Sequence, residues 1–168
     1  MSQVFKIEHR KDIQLLRGFS VLAVIFFHLD KNFFSFGYLG VDIFFAISGF
    51  VISNLIFAQL DNNKFKFKEF IFLRFKRIVP SLIAYLIFVQ ILSYFNLDHN
   101  NIVETAKTSI YSLFFLANIH LSRYLEYFAQ DTEFNLVINL WSLSVEEQFY
   151  IIFPIFAFSM EIILPTPC

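Results

Sequence analysis

The 168-residue chain has little charge and almost no cysteine, and each shortage removes a class of function. Charged residues make up only 16% of it, against about 25% in typical soluble proteins, which excludes a disordered chain and a nucleic-acid-binding surface. The single cysteine, Cys168, cannot close an internal disulfide. It is the last residue, beside Pro165 and Pro167, and is given no catalytic, redox or metal-binding role, so no metal site is expected. There is no internal repeat and no low-complexity linker. A net charge of −1 selects no partner, so only the local placement of Lys and Arg carries information.

What is abundant is apolar surface. Hydrophobic residues reach 57%, about 96 side chains, and mean hydropathy is +0.61. A globular domain holds roughly 45 to 50% apolar residues, so the bilayer is the expected solvent. At about 20 apolar residues per crossing, the count allows roughly four or five membrane-spanning helices. The expected fold class is therefore all-α, a multi-pass membrane helix bundle with about five spans. The 26 phenylalanines suit lipid-facing surfaces but say nothing about chemistry.

The candidate spans are residues 13–29, 39–60, 78–95, 108–121 and 143–164. Lys6, Arg10 and Lys11 precede the first, the flank of a cytoplasmic amino terminus. That start resembles a signal peptide, but the apolar run leads into Asp30, Lys31, Asn32, Phe33 and Phe34 with no small-residue cleavage site, so the helix is read as retained. Lys64, Lys66, Lys68, Arg74, Lys76 and Arg77 outweigh Asp61 and Glu69, marking a second cytoplasmic loop two crossings later. The third span is uncharged, with Pro80 in its first turn, where a missing N–H is tolerated. The fourth is short enough to be re-entrant. Glu126, Asp131 and Glu133 beside Arg123 leave the side of residues 122–140 open. The last span is expected to kink near Pro154.

Several polar residues inside these spans need an explanation. Arg17 and His28 are 11 residues apart, which places them within roughly 20° on one helix face and about 16 Å apart along the axis. Ionisable groups at the bilayer centre cost about 2.5 to 3.5 kcal/mol and normally face protein or a polar cavity, although Arg17 could equally snorkel to the interface. In GYLGVDIFFAISGF, Gly37, Gly40, Ser48 and Gly49 permit close helix approach, while Asp42 either caps a helix start or lines the face it shares with Gly49. Arg74 and Arg77, three apart, can project from one face toward an anionic ligand, phosphate above all, or serve only as the positive-inside signal against anionic lipid. In WSLSVEEQFY, Ser144 and Glu147 have capping-box spacing. That leaves Glu146 and Tyr150, four apart on one face of an apolar helix, where a buried carboxylate needs a partner.

Taken in order, Arg17 to His28, GYLGVDIFFAISGFVIS, RFKRIVP and WSLSVEEQFYIIFP closely resemble the acyltransferase 3 family of integral-membrane O-acyltransferases, over about residues 10 to 155. The resemblance implies transfer of an acyl group, usually acetyl from cytoplasmic acetyl-CoA, to a hydroxyl of a cell-envelope carbohydrate or another acceptor. It implies a catalytic set of His28, Arg17, Glu146 and Tyr150, with Arg74 and Arg77 meeting acetyl-CoA. Acetyl-CoA then acts as donor, with no permanently bound cofactor, and the partners are membrane lipid, donor and hydroxyl acceptor, not nucleic acid. An uncharged His28 in an intramembrane cavity could take the acceptor's proton; an acetyl-histidine intermediate is the alternative. Family members continue into further helices, so this chain is expected to match the amino-terminal part of a larger bundle. Two other readings stay open, a transporter fragment with an intramembrane Arg, His and Glu path, and a non-catalytic remnant.

Overall fold

The structure, a computed structural model, describes residues 10–29, 35–62, 64–124 and 135–163. Lys6, Asp30, Lys31, Asn32, Phe33, Phe34, Glu126, Asp131, Glu133 and Cys168 lie outside the described residues. Among those described, all regular structure is helical: α1 (Lys11–Leu29), α2 (Leu39–Asp61), α3 (Phe67–Asn96), α4 (His99–Leu113), α5 (Ala117–Tyr124) and α6 (Leu140–Ile163). The chain divides into two compact units, Met1–Phe65 and Lys66–Cys168.

In the first unit α1 packs on α2. Asp12 lies in the first turn of α1, where a negative charge suits the helix dipole, and it pairs with Arg10 at 2.6 Å. Ser20 and Ala23 form the buried stripe of α1, and Ser20 returns its hydroxyl proton to the Leu16 carbonyl. Gly40 explains how α2 reaches this stripe: a Cβ there would stand 2.5 Å from the Ser20 carbonyl oxygen and 2.9 Å from Val24 Cγ2. A bare backbone is thus required for the approach, as in small-residue contacts between membrane helices. Much of the remaining surface is apolar, with Leu15 74% and Leu29 76% exposed, which suits lipid rather than water.

The second unit is built on α3, a 30-residue helix about 45 Å long. It begins at Phe67 and takes in Lys68, Arg74, Lys76 and Arg77, so most of the expected basic loop is helix. No Gly or Pro interrupts residues 67–79, and Lys and Arg are good helix formers. Pro80 consequently lies inside the helix rather than in its first turn. Leu82, Leu86 and Val89 of α3 form a core with Phe115 and Val137, against which Phe75, Ile78, Val79, Leu140 and Leu143 pack. The buried face of α4 is made of hydroxyls, Thr105, Thr108, Ser109 and Ser112. Three of them donate to the carbonyl four residues earlier, which satisfies each within its own helix while keeping the side chain small.

The expected span over residues 108–121 is not one helix. α4 stops at Leu113 and α5 starts at Ala117, with Phe115 between them at φ 55°. No Gly or Pro marks this break in the sequence; it is held by contacts from α6. Three helices among the described residues are long and apolar enough to cross a membrane, Lys11–Leu29, Leu39–Leu60 and Phe67–Asn96, so the expectation of about five spans is not confirmed. α6 forms close to the expected place and continues through a buried Pro154, with Glu146, Glu147 and Gln148 in its first half.

Candidate active site

The first unit carries Arg17, His28 and Asp42. His28 lies exposed in the last turn of α1, its Nδ1 2.8 Å from the Val24 carbonyl oxygen, with Phe27 meeting the ring edge-on. A carbonyl only accepts, so Nδ1 carries the proton of this bond and the lone pair of a neutral ring is left on Nε2. Thus the expected burial of His28 in a cavity is not found within its unit, whereas its tautomer is set for accepting a proton at Nε2. Arg17 places Cζ 4.8 Å from the centroid of Phe44 on α2, a cation–π contact between the two helices. Eleven residues of one helix separate Arg17 from His28 by about 16 Å along its axis. Asp42 is exposed in the first turn of α2.

In the second unit α3 and α6 bring a charged cluster together. Arg74 sets Cζ 3.3 Å from the centroid of the Tyr150 ring and 5.6 Å from that of Phe70, and its Nη1 lies 3.6 Å from Glu147 Oε1. At that distance the pair is ionic rather than a hydrogen bond. It is well shielded, with side-chain exposure of 24% for Arg74 and 4% for Glu147. Tyr150 is 2% exposed, and its hydroxyl donates to the Glu146 carboxylate one turn earlier. One guanidinium therefore lies over a phenol ring and beside one carboxylate, while the second carboxylate takes the phenol proton.

Arg77 does not join this cluster and is exposed on α3. Three residues turn a helix by about 300°, so the two arginines stand only about 60° apart on neighbouring faces, with Arg74 against α6 and Arg77 at the open edge of that face. The two arginines, expected to act as a pair, hold different positions.

Glu147 was assigned to a helix cap by its spacing from Ser144, and the structure corrects this. The helix begins earlier, at Leu140, because Asn135 starts the turn that leads into it: its Oδ1 accepts the Val137 N–H at 3.2 Å and its Nδ2 donates to Thr108 at 2.9 Å. Ser144 is thereby one turn inside α6, donating to the Leu140 carbonyl and accepting the Ala117 N–H. Glu147 is free to face Arg74 as a site residue that spacing alone misassigned. The overlooked signal is a second carboxylate next to Glu146 in an apolar helix, which also needs a partner. A cavity of about 340 Å³ beside the start of α6, lined by Asn118, Leu121, Ser122 and Trp141, contains none of the expected site residues.

Comparison with known proteins agrees with the order of these motifs. The acyltransferase 3 family profile, described as an acyltransferase domain, matches residues 10–166. The peptidoglycan O-acetyltransferase OatA of Listeria monocytogenes is 36% identical over 147 residues, 84% of this chain and 23% of that protein. YrhL of Bacillus subtilis, whose name carries the same activity provisionally, is 36% identical over 147 residues, 84% of this chain and 22% of its own. A Staphylococcus aureus protein provisionally named an O-acetyltransferase is 34% identical over 152 residues, 89% of this chain and 25% of its own. The chain thus spans about a quarter of the length of these relatives. No solved structure matches it. On the profile match and the ordered motifs together, the chain belongs to the acyltransferase 3 family of membrane acyltransferases.

Proposed function

We propose that the chain takes part in O-acetyl transfer from acetyl-CoA at the cytoplasmic side of a membrane to a hydroxyl of a cell-envelope carbohydrate, peptidoglycan being the class named for its relatives. The observation that carries this reading is the family match over residues 10–166, which includes Arg17, His28, Arg74, Arg77, Glu146 and Tyr150. The basic flanks at Arg10 and Lys11 and at Lys64 to Arg77 support a cytoplasmic amino terminus.

In the proposed reaction His28 accepts the acceptor hydroxyl's proton at Nε2 as the oxygen attacks the thioester carbonyl. The C–O bond forms, the C–S bond breaks, and the departing CoA sulfur takes the proton back from the imidazolium. Such general-base assistance contributes about 10² to 10⁴ in rate. Arg77, exposed on α3, is the arginine positioned to meet the phosphates of the donor, to which a guanidinium fork is suited. Arg74, held by Tyr150 and Glu147, keeps α3 and α6 in register and offers a fixed positive charge. Arg17 acts on donor or acceptor from its place on Phe44.

The test is transfer of labelled acetyl from acetyl-CoA to peptidoglycan by membranes carrying the chain. Transfer that exceeds empty membranes and disappears in His28→Ala is the expected result. Proton-coupled solute uptake without acetyl transfer would replace this reading with transport, and acetyl-CoA binding without turnover would make the chain a non-catalytic remnant.

A further inference from the structure

α6 presents two kinds of side chain within one turn and a half. Glu146, Glu147 and Tyr150 belong to the charged cluster, while Ser144 and Gln148, four residues apart and so on a common face, turn to the break between α4 and α5. At that break Phe115 and Ala117 are buried, and their backbone groups need protein partners. Gln148 meets this need with its whole amide. One Nε2 proton goes to the Phe115 carbonyl at 2.8 Å and the other to Asn118 Oδ1 at 3.0 Å, while Oε1 accepts Asn118 Nδ2 at 3.0 Å. Ser144 takes the Ala117 N–H at 3.2 Å. Phe115, at φ 55°, sits in the left-handed region that non-glycine residues seldom adopt; the Leu116 N–H closes on the Tyr111 carbonyl at 2.8 Å as at a helix C-terminus, and Gln148 takes the Phe115 carbonyl that this local closure leaves over.

We propose that Gln148, through its reciprocal amide pair with Asn118 and its bond to the Phe115 carbonyl, is a positioning residue that sets the rotation and height of α6 and so places Glu147 and Tyr150 against Arg74. A helix is stiff over a single turn, so clamping residues 144 and 148 fixes the residues at 147 and 150. A rotation by one residue position, about 100°, would carry Tyr150 out from under the guanidinium. The break between α4 and α5 is then a socket for α6. This inference rests on the proposed acetyl transfer for its kinetic readout only.

The experiment uses the full chain in membranes, with Gln148→Met, Asn118→Ala and the double variant. Methionine keeps the length of Gln148 and removes its hydrogen bonds. Arg74 offers the fixed charge of the proposed site, and Tyr150 belongs to the catalytic set that the family resemblance implies, so displacing them by about 1 Å is expected to lower kcat about 10- to 100-fold while the KM for acetyl-CoA stays within about twofold. The double variant should be no slower than Gln148→Met, because both changes remove one clamp. A second readout needs no turnover: labelling of Glu147 by a hydrophobic carbodiimide, followed by mass spectrometry, should quicken several-fold once the clamp is lost. If Gln148→Met does not fold, Asn118→Ala decides, since it leaves the Phe115 carbonyl bonded to Gln148. Wild-type labelling and wild-type kcat in the folded variants would overturn the proposal, as would a loss of activity that only tracks the amount of folded protein. Absence of transfer in the wild-type chain would overturn the proposed function instead, and the labelling would still decide on Gln148.

Discussion

Arg74 lies with its guanidinium carbon 3.3 Å from the centre of the Tyr150 ring, with Glu147 beside it at 3.6 Å. The contact joins the basic first third of α3 to the two carboxylates about two turns into α6. It also separates two arginines that the sequence presents as equivalent, since Arg77 stays exposed.

Arg74→Ala should therefore act on the fold before it acts on the donor. Removing one partner of a shielded pair leaves Glu147 buried without its countercharge, a loss of about 3 kcal/mol at the lower end of the usual range because Arg74 is a quarter exposed. Thermal unfolding in detergent measures it, and adding Glu147→Gln should recover part of the loss. Arg77→Ala should leave stability within about 0.5 kcal/mol and raise the KM for acetyl-CoA. Equal effects of the two alanines on stability would contradict the separation.

Tyr150→Phe keeps the ring beneath Arg74 and removes the hydroxyl that Glu146 accepts. The expected cost is about 1.5 to 3 kcal/mol, the range for a hydrogen bond to a charged group. Tyr150→Leu also loses the cation–π contact and should melt at a still lower temperature.

Two glycines of the first unit should respond in opposite directions. Gly40→Ala puts a methyl 2.5 Å from the Ser20 carbonyl, forcing α1 and α2 apart at about 1 to 3 kcal/mol. Gly18→Ala meets nothing within 4 Å and should be neutral or stabilising by up to about 1 kcal/mol. Melting temperatures of the two variants test this directly.

His28→Ala should reduce acetyl transfer by about 10² to 10⁴ while membrane insertion and helical content stay unchanged. The side chain is exposed and, among the described residues, hydrogen-bonds Val24 of its own helix, so little packing is lost. A variant with wild-type turnover would remove His28 from the mechanism.

The helical class, the places of α1 and α2, and the family were legible because each follows from local composition or ordered motifs. A run of apolar residues without breakers has few options in lipid but to form a helix. The α4–α5 break was not legible, since no Gly or Pro announces it and partners distant in the chain, the α3 core around Phe115 and Gln148 of α6 some 30 residues later, hold it. Glu147 was misread for a related reason. The spacing from Ser144 is a true capping pattern, but Asn135 had already started the helix.

By itself the sequence determined the apolar character of this protein, its helical class and its family, because hydropathy and motif order are properties of the chain. Tertiary structure alone decided which face each candidate site residue presents. The partner of Arg74, the exposure of Arg77 and the two roles divided along α6 depend on how one helix is rotated against another, and that rotation is set by bonds between residues far apart in the chain.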